Sequence, residues 1–264
     1  MKIIDCFIFF REIDLLQFRL KELNDSVDYF VIVESNKTHS NLDKPFYFEE
    51  NQELFKLYQD KIIYIKVEDM PNGPDNWARE KFQRQCITRG LDKLKLDHKD
   101  TIIISDLDEI MDIDTLNVIK NQKELQQIFS LTQDMYYYNL NCKAGLPWYK
   151  AKICNYGSIV NKYIGNIRDY FYTPFYLKGG WHFSYFGDAK SIITKIKSFA
   201  HQEFNEEKYI NEESINKLIE NCDDLFFRDN KRTHNFSFIS IEQNSYLPKH
   251  YQMLLTSNDD KDFK

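Results

Sequence analysis

Hydrophobic and polar positions in the first hundred residues alternate between short apolar runs and segments of helical period. The apolar runs predict four β-strands, at residues 3–10, 29–33, 62–67 and 101–105. Apolar residues at helical spacing predict helices at residues 13–23 and 52–58, and from residue 75 or 76 to residue 94. Strands that alternate with helices indicate a parallel sheet covered by helices on both faces.

The second half of the chain is patterned less regularly. The pattern predicts two more strands, at residues 135–140 and 170–176, and a loop at residues 142–150. It also predicts a helix at residues 189–199 and a polar helical stretch at residues 206–221. No internal repeat and no linker-like change in composition divides the chain, so we predict a single domain over residues 1–264. The expected fold class is α/β with a mostly parallel central sheet.

Composition and charge narrow the class of protein. Aromatic residues make up 16% of the 264 residues, which leaves rings for stacking on flat or sugar-like ligands. The formal net charge is −6, so nucleic acid is not an expected partner, because no basic field exists to collect phosphates. The longest apolar run, residues 3–10, is too short to span a bilayer, and no signal-peptide cleavage site follows it.

The cysteines are five in number, widely scattered, and include no CxxC pair. This spacing disfavours both a disulfide framework and a zinc ribbon, and it favours a reducing compartment. We therefore predict a cytoplasmic protein.

The strongest local indication of chemistry is the sequence Ser-Asp-Leu-Asp-Glu at residues 105–109. Alternate residues of an extended segment point the same way, so Asp106 and Asp108 can present two carboxylates to one ligand. Hard divalent cations such as Mg²⁺ or Mn²⁺ take oxygen ligands and share them with substrate phosphates. Because ligands of parallel sheets bind beyond the carboxyl ends of the strands, we predict a metal–diphosphate site here. The alternative is a solvated acidic turn.

Further polar candidates precede this motif. Glu34 and Ser35 follow the second predicted strand, at the same edge of the sheet. On the helix that begins near residue 75, Arg79 and Arg84 can supply the cationic donors that a diphosphate needs. Glu80 lies one turn from Arg84, however, and the two can equally form a surface ion pair.

A glycine-rich segment at residues 179–188 supplies the last group of candidates. Its paired glycines allow a backbone to approach a ligand closely, and Trp181 is a candidate sugar platform. His182 is a candidate third metal ligand, and the alternative for it is a hydrogen-bonded core histidine. Asp188 is a candidate base, as are Glu109 and, in the polar stretch after the segment, Glu203.

Missing motifs exclude several common classes of enzyme. The chain has no GxGxxG, Walker, HExxH or GxSxG motif, which excludes dinucleotide-binding, P-loop, zinc-protease and α/β-hydrolase chemistry. A nucleotidyltransferase is the nearest enzymatic alternative, but it normally opens with a glycine-rich basic loop, where this chain has Arg11 and Glu12. A non-catalytic carbohydrate-binding protein is supported by the aromatic content alone.

Several short motifs, taken in order, resemble those of glycosyltransferase family 17, the family of the bisecting β-1,4-N-acetylglucosaminyltransferase. They are Asp5-Cys6-Phe7, the sequence EIDLL at residues 12–16, DYFVIVES at 28–35 with Thr38, Trp77 with Glu80 and Arg84, DLDE at 106–109, and Gly180-Trp181-His182. Each motif alone is weak, but their ordered succession over residues 3–200 is specific.

The resemblance implies a GT-A-type, Rossmann-like sandwich that binds a UDP-sugar, UDP-N-acetylglucosamine in the animal enzyme, and inverts the anomeric carbon. Residues 1–109 would form the nucleotide-binding half, and residues 110–264 the acceptor-side half with the C-terminal helices. Mn²⁺ or Mg²⁺ would be held by the side chains of Asp106, Asp108 and His182. The nucleotide-sugar would contact Glu34, Ser35, Thr38, Arg79, Glu80, Arg84, Asp106 and Trp181.

Two features depart from the family pattern. The sequence shows no Golgi transmembrane anchor of the kind that the animal enzyme has, so the expected acceptor is a microbial or viral surface glycan rather than a bisected N-glycan. The proline that typically follows the acidic motif is also missing, since Ile110 and Met111 follow Glu109.

Overall fold

The computed structural model describes residues 1–121, 125–174, 178–228 and 235–255. Its strands, in chain order from β1 to β11, are Ile3–Phe9, Tyr29–Ser35, Ile62–Val67, Thr101–Asp106, Glu109–Ile110, Phe129–Ser130, Asp134–Tyr137, Cys142–Ala144, Lys152–Asn155, Trp181–Ser184 and Phe236–Phe238. Its α-helices, α1 to α7, are Ile13–Leu23, Tyr47–Glu50, Asn76–Gln85, Ile87–Leu91, Ile113–Lys120, Ala189–Ser198 and Glu212–Asn221. Residues Gln52–Tyr58 form a 3₁₀ helix.

The main sheet has the strand order β3-β2-β1-β4-β9-β6. The first four of these strands are parallel, and Cys6 of β1 pairs with Val31 of β2 and Ile104 of β4. β9 is antiparallel to both β4 and β6, so two strands from the second half of the chain complete the sheet. The predicted α/β class with a mostly parallel central sheet is confirmed.

Alternate residues of β1 pack into two separate cores. Phe7 and Phe9 face a core that includes Leu16 of α1, whereas Ile4 and Cys6 face a core that includes Ile87 of α4. Helices therefore cover both faces of the sheet, as predicted. Burying each large apolar side chain of this kind stabilises the fold by about 1.5–3 kcal/mol, so the two cores hold the strand ends rigidly.

The second sheet has the order β11-β8-β7-β10-β5 and adjoins the carboxyl edge of the first. β5 follows β4 after a two-residue turn, and β10 pairs with it antiparallel, His182 opposite Glu109. Gly180 makes this pairing possible, because it has a φ of +110° and a Cβ there would lie 2.0 Å from the Ile110 carbonyl oxygen. The close approach predicted for the paired glycines is thus to the chain's own backbone.

Several predicted elements differ from the structure. The helix predicted over residues 75–94 is two helices, α3 and α4, which meet at Cys86. Residues 142–150 are not all loop, because they include β8. Of the strand predicted at residues 170–176, Pro174 forms only an isolated bridge to Ser130, and residues 175 and 176 lie outside the described ranges.

Two cysteines form a disulfide, Cys142 in β8 with Cys222 at the end of α7, so the expectation against disulfides was wrong for this pair. Their sequence separation of 80 leaves no local spacing pattern to recognise. Cys6, Cys86 and Cys154 are free and buried. Because disulfides are rare in reducing compartments, this pair argues against the predicted cytoplasmic location.

Within the described ranges, no helix is both long enough and apolar enough to cross a membrane.

Candidate functional site

A cleft of about 610 Å³ opens at the carboxyl edge of the main sheet. It lies where β1 and β4 are neighbours, and the chain order of the strands reverses at this point. Such a reversal is where open α/β sheets bind ligands. The ends of β1 and β4 contribute Phe9 and Asp106, the second sheet contributes His182, and α6 contributes Lys195.

Asp106 ends β4 between two guanidinium groups. Its Oδ1 lies 3.0 Å from Nη1 of Arg84, and its Oδ2 lies 2.8 Å from Nη2 of Arg168. Burial would raise the pKa of the Asp106 carboxyl, but Arg168 and Arg84 outweigh burial and hold that pKa below its ordinary value. Asp106 is therefore a carboxylate at any physiological pH. The predicted ion pair of Arg84 with Glu80 also forms, at 2.9 Å.

Asp108, two residues later, faces a different pair of partners. Its Oδ2 accepts a hydrogen bond from Nζ of Lys195 at 2.9 Å, and its Oδ1 lies 3.5 Å from Nε2 of His182. Burial alone would raise the pKa of Asp108, but Lys195 and His182 lower it far below its ordinary value. Lys195 is also 3.7 Å from Glu12, and these carboxylates raise the pKa of Lys195 despite its burial.

The turn between the two aspartates is held from below by Arg19 of α1. Nη1 of Arg19 donates to the carbonyl oxygens of Asp106, Leu107 and Glu109 at 2.7, 2.9 and 3.0 Å. Nε and Nη2 of Arg19 donate to the two carboxylate oxygens of Asp5 at 2.8 and 2.6 Å, and both side chains are fully buried. A buried ion pair thus fixes the backbone that presents the carboxylates.

The donor atoms of Asp108 and His182 fit a divalent metal ion. Two neighbouring ligands of an octahedral ion with bonds of about 2.1 Å lie roughly 3 Å apart, close to the 3.5 Å found here. The nitrogen of His182 that faces Asp108 is Nε2, whereas its Nδ1 is buried without a hydrogen-bond partner among the described residues and is not part of this pair. Those residues contain no group of three His, Cys, Asp or Glu side chains arranged to hold a metal. Two protein ligands are nevertheless usual where substrate phosphates and water complete the shell.

Glu109, a predicted base, is fully buried and engaged on both oxygens. Arg168 donates to both of them, Nε1 of Trp148 donates to Oε1, and the Asp106 amide donates to Oε2 at 2.9 Å. Glu109 is not among the residues that line the cleft. This geometry makes it a group that positions Arg168 and Trp148 rather than one that meets a substrate.

The other two predicted bases lie in different surroundings. Asp188 is the exposed N-cap of α6, where its Oδ1 accepts a hydrogen bond from the Ser191 amide at 2.8 Å, and it does not line the cleft. Glu203 does line the cleft, and its Oε1 lies 2.6 Å from Nδ1 of His201. Burial is the largest single effect and opposes ionisation of Glu203, but the contact with His201 and a backbone hydrogen bond together outweigh it and lower the pKa of Glu203 below its ordinary value.

The predicted nucleotide contacts separate into two groups. Thr38, Glu80 and Asp106 line the cleft, whereas Glu34, Ser35, Arg79, Arg84 and Trp181 do not. The carboxylate of Glu34 is fully buried and accepts hydrogen bonds from Lys44, Tyr64 and two amides at the start of α2. The guanidinium of Arg79 likewise donates to the carbonyl oxygens of His39 and Gly73 and to Oδ1 of Asn76. Trp181 packs on Tyr246. These groups support the walls of the cleft.

Sequence reasoning missed four polar residues of the site: Arg19, His39, Arg168 and Lys195. All four lie on helices or loops far along the chain from Asp106, and no spacing pattern links them to it. One usable indication existed for Arg19. Asp5 interrupts the most apolar run of the sequence, and a buried aspartate requires a cationic or hydrogen-bonding partner.

Comparison with known proteins places the chain in a family. The sequence profile of glycosyltransferase family 17 matches residues 1–254. The β-1,4-mannosyl-glycoprotein 4-β-N-acetylglucosaminyltransferases of Homo sapiens and Rattus norvegicus are each 36% identical over 105 residues, and that of Mus musculus is 35% identical. The matched segment covers 38% of this chain and 20% of each relative, so it spans about one fifth of their length.

A solved structure of 4-diphosphocytidyl-2C-methyl-D-erythritol synthase also aligns, with a TM-score of 0.38 and 12% identity, over 67% of this chain and 89% of that chain. The family profile, by contrast, matches nearly the whole sequence and includes the ordered motifs at the ends of β1, β2 and β4. The chain belongs to glycosyltransferase family 17.

Proposed function

We propose that this chain is a metal-dependent, inverting glycosyltransferase that moves N-acetylglucosamine from a UDP-sugar to a hydroxyl of a glycan. One observation carries the proposal: Asp106 and Asp108 lie at the carboxyl end of β4 and line a cleft at the reversal point of the sheet. Membership of the family supports the donor and acceptor classes. Residues 1–109 would supply the nucleotide side of the cleft, and residues 110–264 the acceptor side.

The donor diphosphate would lie against Asp106 and Asp108. Asp108 and His182 would hold Mn²⁺ or Mg²⁺, which when bound supplies Lewis-acid stabilisation of the charge on the departing UDP. Lys195 and Arg168 lie beside the same carboxylates and line the cleft. Their fixed positive charges are positioned to stabilise negative charge that develops on the leaving group.

The acceptor hydroxyl requires a base on the side of the sugar opposite the diphosphate. Of the three predicted bases, Glu203 is the one that lines the cleft, and its carboxylate is deprotonated, as a base must be, although its lowered pKa makes it a weak one. We propose Glu203 for this role. Glu12 and Asp169 are further cleft carboxylates, but Glu12 already lies near Lys195, and Asp169 pairs with Lys81 at 2.9 Å.

Asp188→Asn is expected to leave both activity and stability unchanged. Asparagine caps a helix about as well as aspartate does, so the free energy of unfolding should change by less than about 0.5 kcal/mol. Urea unfolding and initial rates of UDP release with UDP-N-acetylglucosamine measure the two quantities. A large loss of rate in a normally folded variant would instead make Asp188 the base.

The proposed function is tested by donor binding and by turnover. Thermal unfolding is followed with UDP, UDP-N-acetylglucosamine and CTP, each with and without Mn²⁺, and UDP release is measured against a panel of oligosaccharides. A ligand at 100 times its Kd adds about 2.7 kcal/mol of stability, or roughly 5–10 °C for a chain of this size. We expect this shift with UDP compounds and Mn²⁺, and accelerated UDP release with an acceptor.

Other outcomes would point to other classes. Stabilisation by CTP alone, with release of pyrophosphate, would favour a nucleotidyltransferase. Stabilisation by oligosaccharides with no response to any nucleotide would favour a carbohydrate-binding protein. Either result would overturn the proposal.

A further inference from the structure

His39, in the loop after β2, has one ring nitrogen in use and one available. It lines the cleft, and its Nε2 lies 2.8 Å from Oε1 of Gln83. Among the described residues, no group forms a hydrogen bond with its Nδ1. His39 is thus a cleft histidine with a defined direction for one further hydrogen bond.

The neighbouring Gln83 determines which nitrogen of His39 carries the proton. Nε2 of Gln83 lies 2.9 Å from the Val33 carbonyl oxygen and 3.4 Å from that of Phe9. Turning the amide over would bring its oxygen against these two carbonyl oxygens, so Oε1 must face His39 and accept. His39 therefore donates through Nε2–H. Burial, the largest effect, lowers the pKa of His39, so the ring is neutral and its Nδ1 carries a lone pair.

His39 lies in a part of the cleft that the base of a bound nucleotide would reach. β2 is separated from β4 by β1 alone, so the ends of β2 and β4 are roughly 10 Å apart across the sheet. The aspartates that end β4 define where a diphosphate would lie. A nucleoside extending along the sheet edge from that diphosphate brings its base toward the loop after β2, which contains Thr38 and His39.

We propose that His39 selects uracil in the donor nucleotide, by accepting a hydrogen bond at Nδ1 from the N3–H of the base. Uracil carries a proton on N3, whereas N3 of cytosine is itself an acceptor and would face the lone pair of Nδ1. The assignment rests on the proposed function. It assigns recognition of the base to His39. Glu34 was expected to contact the nucleotide-sugar, but its carboxylate already accepts hydrogen bonds from Lys44, Tyr64 and two amides.

Calorimetric titration of the wild-type chain with UDP, N3-methyl-UDP and CDP, all with Mn²⁺, tests the inference. One hydrogen bond corresponds to about a tenfold difference in affinity, so UDP should bind about tenfold more tightly than either analogue. In His39→Ala the ratio of the affinities for UDP and N3-methyl-UDP should fall to about one. The matched control is His201→Ala, another histidine lining the cleft, which should retain the wild-type ratio.

The outcomes distinguish the inference from the proposed function. Equal affinity of the wild type for UDP and both analogues would overturn the assignment of His39 alone. The assignment would also be overturned if His39→Ala kept the wild-type ratio of the affinities for UDP and N3-methyl-UDP. Another acceptor in the cleft, such as Glu80, would then recognise the base. Absence of UDP binding under every condition would overturn the proposed function, and this inference with it.

Discussion

Asp108→Ala is expected to lower the rate of sugar transfer by about 10²–10³-fold in a chain that still folds. The variant removes one of the two side chains proposed to hold the metal ion, and loss of one preorganised electrostatic group of an active site typically has an effect of this size. The fold should tolerate the change, because Asp108 faces the cleft and its partner Lys195 stays near Glu12 at 3.7 Å and keeps access to water. Initial rates of UDP release at saturating Mn²⁺ and UDP-N-acetylglucosamine measure the effect.

Asp188→Asn is the matched control for this prediction, since it changes an aspartate of the same region that lies outside the cleft. Urea unfolding of both variants shows whether any loss of rate reflects unfolding. If Asp108→Ala turns over the donor at the wild-type rate, the carboxylate has no part in the reaction. If both variants lose activity together, the effect on Asp108 is not specific.

Arg19→Met is expected to destabilise the fold by about 3–5 kcal/mol, the largest stability effect predicted for this chain. The variant leaves the carboxylate of Asp5 buried and unpaired, which is costly because water cannot reach it. It also removes the donor for the carbonyl oxygens of Asp106, Leu107 and Glu109. The free energy of unfolding from urea titration is the measurement.

Arg89→Met is the control for Arg19→Met, because Arg89 forms the same bidentate pair with an aspartate at the protein surface. Arg89 binds both oxygens of Asp69 at 2.8 and 2.6 Å, but the two side chains are 41% and 60% exposed. Its loss should therefore cost less than about 1 kcal/mol. Comparable losses for the two variants would mean that the buried pair with Asp5 does not stabilise the turn between Asp106 and Asp108.

The parallel half of the fold could be predicted because three of its four strands, β1, β2 and β4, are buried on both faces. The strand Thr101–Asp106 has three consecutive isoleucines before its last two residues, so both the strand and the acidic group at its end are visible in the sequence. The second sheet could not be predicted in the same way. Its strands are two to four residues long, as in Glu109–Ile110 and Trp181–Ser184, and so short a segment shows no period.

The site was predicted where it depends on the sheet and missed where it depends on long-range packing. The position of Asp106 and Asp108 follows from the end of one strand, which local patterning determines. The partners that set their charge are Arg168, in a 3₁₀ helix, and Lys195, in α6, and the arrangement of these two helices depends on the whole fold. For the same reason, the sequence could not show that the carboxylate of Glu34 accepts hydrogen bonds from Lys44 and Tyr64 and is not available to a ligand.

The central position of β1 in the sheet has a consequence for synthesis of the chain. β1 leaves the ribosome before its two partner strands and can pair on one side as soon as β2 emerges, but its other side pairs with β4, where Ile3 lies opposite Thr101. Until β4 emerges, one edge of an apolar strand stays open to pairing with other chains. The interval of greatest aggregation risk during translation thus ends only with β4, and a nascent chain stalled before residue 101 retains that open edge.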